Sequence, residues 1–377
     1  MTQWLLISGD FTPLGGMDRA NHALASYLAR QPHADVHLVT HRAWPDLAAN
    51  GSITVHPVAR PLGSHLAGAP LLASAGERWA ARLRQTARLV ANGGNADAGD
   101  VTWVHYVHAA YEPAVAGSAS RRAQAALAYR YYTGRERRSL RHARVVLCNS
   151  HRTARDVVEK VGVDAARVRT IYYGAHAADL AAVSAAGRDA ACRALGWPGD
   201  RPVALFIGAL GDRRKGFDRL FEAWSRLALD SSWDMDLAVV GEGRELGTWR
   251  ARSRQAGLET RVKFLGFRTD VAAVIAASSL MVHPVRYEAY GLGVHEAICR
   301  GVPALVSGAS GIAERYPANL RDLLIDDIES VDELCGRLRE CRRHLERLTE
   351  RMAPFSDALR SRSWDDMAAD IVQASLS

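Results

Sequence analysis

The stretch VALFIGALGDRRKGFDRLFEAWSRLA, residues 203–228, changes its period halfway. Residues 203–207 form an unbroken apolar run of strand length, whereas from Phe217 to Ala228 the apolar residues return every three or four positions, as on one helix face. Between the two, Gly208, Gly211 and Gly216 bracket the cations Arg213, Arg214 and Lys215. Strand, glycine-bearing loop and helix make one βα unit, and a strand that is apolar at every position is covered on both faces. Repeated, such units give a parallel sheet with ligands at the carboxyl ends of its strands.

The alternation runs outward in both directions. Downstream, strands are expected at 237–240, 262–265, 280–282 and 304–306, with helices at 245–255, 271–277 and 293–300 between them. Upstream, strands are expected at 4–8, 36–40, 53–57, 101–107 and 145–149, with a helix at 19–30. The signal weakens near 174–179, and an alanine-rich stretch ends in the cluster Gly196, Trp197, Pro198, Gly199, Asp200, which marks a boundary. The expectation is an α/β chain of two doubly wound, Rossmann-like domains facing a cleft. An N-terminal domain takes residues 1–180, a linker 181–200 and a second domain 201–355. A C-terminal helix, 356–377, returns to the first domain. From residue 332 the tail reads as helices, interrupted at Pro354 and at the turn 361–364.

Bulk properties agree with that plan. A chain of 377 residues is long enough for two cores. Its 48% hydrophobic and 24% charged residues are those of a globular protein, and no run approaches the 18 apolar residues of a membrane span. The first ten residues read as a strand and not as a targeting leader, so cytoplasm is the expected address. Five cysteines (Cys148, Cys192, Cys299, Cys335, Cys341), scattered and without a Cys-x-x-Cys pair, suggest buried thiols and no zinc site. The net charge of +7 favours an anionic partner, without choosing among nucleic acid, nucleotide and phospholipid.

Three loops at strand ends carry candidate chemistry. Gly15-Gly16, after the first strand, is either a tight turn or a place where backbone approaches an anion at a helix start. Arg213, Arg214 and Lys215 sit where a phosphate would be placed, although the Gly-Lys-Ser/Thr of a P-loop is missing. In VRYEAYGLGVHEAICRGVP, residues 285–303, Glu288 precedes a bend at Gly291 and Gly293, and Glu296 follows it on a helix. The backbone N–H groups from 291 to 294 would face an anion, and Glu296 could accept hydrogen bonds from a diol. A surface helix with two solvated glutamates has the same spacing.

Taken together, these pieces resemble the retaining glycosyltransferases of the family 4 type, which have the two-domain GT-B fold. The resemblance rests on EAYGLGVHE with its seven residues between Glu288 and Glu296, on Gly15-Gly16, and on ARVVLCNS, IYYGAH, LFIGALGDRRKGFDRLFEAW, LAVVGEG, VKFLGF, GVPALVSGASGIAE and SRSWDDMAADIV, in order along nearly the whole chain. HPVRYEAYGLGVHEA with RRKGFDR is similar to the lipopolysaccharide-core glucosyltransferase branch, which points to a bacterial cell-envelope acceptor.

What the resemblance implies is a metal-independent hexosyltransferase that moves a sugar from a nucleotide-diphosphate sugar, UDP- or GDP-linked, to a hydroxyl of a glycan, lipid-linked or small-molecule acceptor. No cofactor or metal is implied, and Asp234-Met235-Asp236 reads as a turn. Arg214 and Lys215 would neutralise the diphosphate, with the backbone of Gly15, Gly16, Gly291 and Leu292. Glu296 would bind the ribose and Glu288 the donor sugar. The backbone of Phe267 and Arg268 would touch the base, Tyr290 fills an aromatic slot, and His108 would stand near the reacting centre. Ala209 stands where many members have Arg, so Arg213 and Arg214 remain alternatives, as do His105 and His108. Residues 119–144, with eight arginines and three tyrosines, could lie on an anionic membrane surface or form a solvated helix; no nucleic-acid module accompanies them. The rivals are an epimerase of the same fold and a non-catalytic nucleotide-sugar binder. A dinucleotide dehydrogenase is disfavoured, because GEGREL lacks the third glycine of its fingerprint.

Overall fold

The computed structural model describes residues 2–113, 118–175, 181–197 and 201–376. Of the motifs above, His176 of IYYGAH and residues 198–200 of the boundary cluster lie outside the described residues. The chain divides into two compact units, Met1–Gly174 with Arg362–Ser377, and Ala175–Ser361.

In the first unit the strands are β1 (Thr2–Ile7), β2 (Asp10–Phe11), β3 (Ala34–Thr40), β4 (Arg42–Ala43), β5 (Ile53–Pro57), β6 (Ala87–Asn92), β7 (Val101–Val104), β8 (Val145–Cys148) and β9 (Val168–Thr170). Seven of them form one parallel sheet in the order β5-β3-β1-β6-β7-β8-β9, and β2 and β4 pair separately. Leu5, Ile7, Val36, Leu38, Val39, Leu89 and Val146 are all buried, as continuous apolar strands between two helical layers must be.

The central strand β6 and the helix His65–Leu83 before it had no counterpart among the sequence expectations. β6 reads ARLVAN, with only Leu89 and Val90 as large apolar residues, too short a run to stand out from its alanine-rich surroundings. Its pairing with β1 supplies what its own side chains lack: Trp4 lies beside Arg88 and Leu6 beside Val90. β6 also matters for topology, since chain order reverses between β1 and β6.

The last helix, Trp364–Leu376, is part of this first unit. It enters where Gly174 meets Ser363 so closely that a Cβ on Gly174 would lie 2.0 Å from the Ser363 carbonyl oxygen. The Trp364 ring stands 5.9 Å from that of Tyr173, and Arg88 donates to the Ser375 carbonyl.

In the second unit, β10 (Val203–Ile207), β11 (Asp236–Val240), β12 (Val262–Gly266), β13 (Leu280–His283), β14 (Ala304–Ser307) and β15 (Leu324–Ile325) form a parallel sheet ordered β12-β11-β10-β13-β14-β15. Chain order reverses between β10 and β13, which is the switch point where doubly wound sheets bind ligands. Residues 181–200 include a helix, Ala185–Ala194, that falls in this unit. Pro354 does not break the chain as expected: it lies inside the helix Leu345–Arg360. Proline there removes one N–H from the helical ladder. Met352, Phe355 and Leu359 are buried on either side of it, and that packing holds the helix together.

Candidate active site

Two loops flank the switch point of the second sheet, and both contain the residues singled out by sequence. After β10, Arg213–Lys215 forms one tight turn, with the Asp212 carboxylate accepting from the Arg214 N–H at 3.0 Å. Gly216 ends the turn at φ 70°, and a Cβ there would lie 1.7 Å from the Pro284 carbonyl oxygen. Only glycine meets both conditions, so the basic turn is pressed against the loop that follows β13.

That second loop is zipped to the segment after β14. Glu288 N–H donates to Ala309 O, Gly311 N–H to Glu288 O and Ile312 N–H to Tyr290 O, while Ser310 Oγ donates to Tyr290 O. The motif GASGIAE therefore serves to fix the bend. Gly291, at φ 106°, caps the helix Leu292–Cys299, and a Cβ on it would come within 2.9 Å of Ser310 Oγ. The amides of Leu292 and Gly293 open the helix and have no carbonyl one turn back to bond. Glu296 is half-buried on this helix.

The loops meet at Glu288. Its carboxylate accepts from Arg214 Nη1 at 3.3 Å and forms a short ion pair with Lys215 Nζ. Burial pushes this carboxyl up, but Lys215 and Arg214 outweigh that and hold it down at about 2, so Glu288 is ionised at any ordinary pH. Beneath it His283 is buried, and burial lowers its imidazole to about 3, leaving it neutral. Arg214 also donates to Asp212 and to the Tyr287 carbonyl, whereas Arg213 turns away to Asp218 at 3.2 Å and is half exposed. Of the two arginines, Arg214 is the one beside Lys215 and Glu288.

Both flanking tyrosines point inward. Tyr287 and Tyr290 are buried, and the Tyr290 hydroxyl bonds His295 Nδ1 at 2.8 Å. The Tyr290 side chain is thus part of the core that supports the bend and does not line an open site. At the end of β12, Phe267 is exposed and donates its N–H to Glu242 Oε1 at 3.3 Å, and Arg268 pairs with Asp270. Gly241 and Gly243 on either side of Glu242 lie against the carbonyls of Gly208 and Leu210, at 2.0 and 1.8 Å from an added Cβ. GEG is therefore a brace for the loop after β10.

At the opposite, N-terminal end of this sheet, Asp234 pairs with Arg342, and Asp236 with Arg261, Lys263 and Arg201. A groove of about 1100 Å³, with Trp197, Arg188 and Lys263 in its wall, opens at that end too, away from Glu288.

In the first unit, Gly16 caps the helix Met17–Ala29, Gly15 has φ 81°, and Asp18 in the helix's first turn is raised to about 6 by burial and by Asp10. His105 and His108 differ sharply. His105 is buried, hydrogen-bonded to the Tyr173 hydroxyl, and lowered by burial to about 3. His108 lies in the turn His108–Ala110, stacked on Tyr132 with ring centroids 5.0 Å apart. A buried carboxylate absent from the sequence expectations holds this turn. Glu136 accepts from the His108 N–H at 2.7 Å and the Ala109 N–H at 3.0 Å, and burial raises it to about 7 despite those bonds. A glutamate inside an arginine-rich helix gives no sequence signal of such a role.

That helix, Ala119–His142, divides in two. Its C-terminal half is packed, with Arg135 paired to Glu77 and Arg138 to Asp97. In its N-terminal half Arg121, Arg130 and Leu127 are exposed.

Residues 14–179 match the family described as Glycosyltransferase Family 4, and residues 201–341 that described as Glycosyl transferases group 1. The chain belongs to the family 4 glycosyltransferases. It is similar to the lipopolysaccharide glucosyltransferase WaaG of Escherichia coli (strain K12), at 35% identity over 100 residues, 26% of either chain. It is also similar to the 2-deoxystreptamine N-acetyl-D-glucosaminyltransferase of Streptomyces fradiae, at 27% over 216 residues, 56% of this chain and 50% of that one. The matches thus span half or less of these relatives' own lengths. The fold extends further: a crystal structure of WaaG superposes with a TM-score of 0.74 at 21% identity, covering 98% of this chain and 99% of that one. HepE from Anabaena in complex with UDP-glucose superposes at 0.73 and 20%, covering 99% of both. The architecture is GT-B.

Proposed function

We propose that the protein is a retaining, metal-independent hexosyltransferase that moves a sugar from a UDP- or GDP-linked donor to a hydroxyl of a glycan or lipid-linked acceptor of the bacterial cell envelope. The observation that carries the reading is the meeting of Arg214 and Lys215 with Glu288 beside the helix start at Gly291, at the switch point of the second sheet.

In this reading the bond between the sugar's anomeric carbon and the diphosphate breaks, and negative charge grows on the leaving phosphate. Arg214, Lys215 and the amides at 291–293 are preorganised positive potential for that charge, the role a metal would otherwise fill. The acceptor oxygen bonds to the anomeric carbon, and its proton passes to the leaving phosphate oxygen. Glu288 is a poor base for that proton, because two cations hold it near 2. Its part is to accept hydrogen bonds from sugar hydroxyls, with Glu296 accepting from the ribose and the backbone at Phe267 and Arg268 meeting the base. Tyr290 contributes by supporting the bend through His295. The roles of Gly15, Gly16 and His108 rest on the resemblance alone.

The exposed half of the Ala119–His142 helix supports a peripheral contact with an anionic membrane, on its cytoplasmic face. Binding to vesicles with anionic headgroups should weaken as salt rises; no binding at low salt rules the contact out. The function itself is tested by incubating the protein with UDP- and GDP-sugars in a chelator and measuring nucleoside diphosphate release with candidate acceptors. Release that needs an acceptor, with the product's anomeric proton unchanged in configuration by NMR, is the expected result. Donor conversion without an acceptor would make the protein an epimerase, and no release with any donor would overturn the reading.

A further inference from the structure

Arg286 lies two residues before Glu288, and none of the roles above uses it. It is largely buried, and each face of its guanidinium is committed to the second unit. Nη1 donates to the Arg213 carbonyl at 2.5 Å and to Asp218 Oδ1 at 2.8 Å, Nη2 to Asp218 Oδ2 at 2.9 Å, and Nε to Glu329 Oε1 at 2.5 Å. Its own N–H donates to the Arg214 carbonyl at 2.8 Å. Asp218 opens the helix that follows the basic turn, and Glu329 also receives Arg219 of that helix at 2.8 Å. One side chain therefore ties together the carbonyl of the basic turn, the helix after it, and the segment after β15. Its backbone belongs to the loop that carries Glu288. Two parallel N–H groups on one carboxylate fix a direction as well as a distance.

We infer that Arg286 is a positioning residue, which holds the Arg213–Lys215 turn so that Arg214 and Lys215 face the donor's diphosphate. This deepens the donor reading above and rests on it. Arg286 does not touch the donor itself. Its effect passes through the turn, and its removal should cost affinity for the terminal phosphate and leave contacts to base and ribose intact.

The test compares wild type, Arg286→Gln and Arg286→Lys by two measurements. Calorimetric titration with UDP and with UMP isolates the contribution of the second phosphate as the ratio of the two affinities. Amide hydrogen exchange at residues 213–216 reads the turn directly, without any ligand. Arg286→Gln should lower the UDP-to-UMP affinity ratio about tenfold, leave UMP affinity within about twofold, and speed exchange in the turn. Arg286→Lys, which keeps a cation between Asp218 and Glu329 but lacks the fork, should fall between and decides the matter should the glutamine variant not fold. An unchanged ratio, an equal loss of UDP and UMP binding, or unchanged exchange overturns the inference. Wild-type protein that binds neither UDP better than UMP nor GDP better than GMP overturns the donor reading instead, and exchange then judges the brace by itself.

Discussion

Replacing Glu288 by glutamine tests the electrostatics of the site through stability alone. In the folded protein this carboxyl lies at about 2, against an ordinary 4.5, because Lys215 and Arg214 together outweigh the burial that pushes it up. At about 1.4 kcal/mol per pH unit, that descent is worth about 3 kcal/mol to the folded state. The carboxyl is depressed on folding, so this contribution is complete above pH 4.5 and disappears as pH falls toward 2. At pH 3 about 1 kcal/mol remains. For a unit of roughly 150–250 residues, 1 kcal/mol moves the melting temperature by about 2–4 °C. Glu288→Gln should therefore lower the melting transition of the Ala175–Ser361 unit by roughly 6–12 °C at pH 7, and by roughly 2–4 °C at pH 3. Differential scanning calorimetry across that pH range is the assay. A variant that melts with wild type at pH 7, or a difference that does not shrink with acidity, would refute the claim that the ion pairs hold the site together.

Other consequences concern the ligand and the backbone. Glu296→Ala should weaken nucleotide binding by roughly 1.5–3 kcal/mol, the worth of a hydrogen bond to a charged group, while Glu288→Gln should lower turnover more than affinity; the opposite pattern in paired titrations and rate measurements would reverse the two roles. Gly216→Ala puts a side chain at φ 70° against the Pro284 carbonyl. The conformation alone costs roughly 1–2 kcal/mol. Its melting temperature and its UDP affinity should both drop, and unchanged values would mean that the close approach of the two loops is not needed.

Much of the second unit could be read from the chain, for a physical reason. Its strands are buried on both faces, so 203–207, 237–240 and 280–282 appear as unbroken apolar runs, and Arg214, Lys215 and Glu288 are conspicuous beside them. β6 was hidden because a central strand can depend on its neighbours, and ARLVAN carries too few large side chains to announce itself. The switch point of the first sheet was hidden with it. Arg286 gave no signal because its meaning lies in Asp218, 68 residues away, and Glu329, 43 residues away. The histidines show the same limit: spacing treats His105 and His108 alike, and only burial among Trp103, Tyr173 and Asn149 marks His105 as part of the core. Tyr290, which only fills an aromatic slot when the motif is read as sequence, turns out to support the bend from the core through His295.

The central claim is that Arg214, Lys215 and Glu288 form a diphosphate-sugar site that works without a metal. Its most direct test is calorimetric titration of UDP and GDP, in the presence of a chelator, into wild-type protein and into Lys215→Ala. Saturable one-site binding of at least one nucleotide, weakened about tenfold or more by the substitution, is the predicted result. Wild-type protein that binds neither nucleotide, or a Lys215→Ala variant that binds as tightly as wild type, would contradict it.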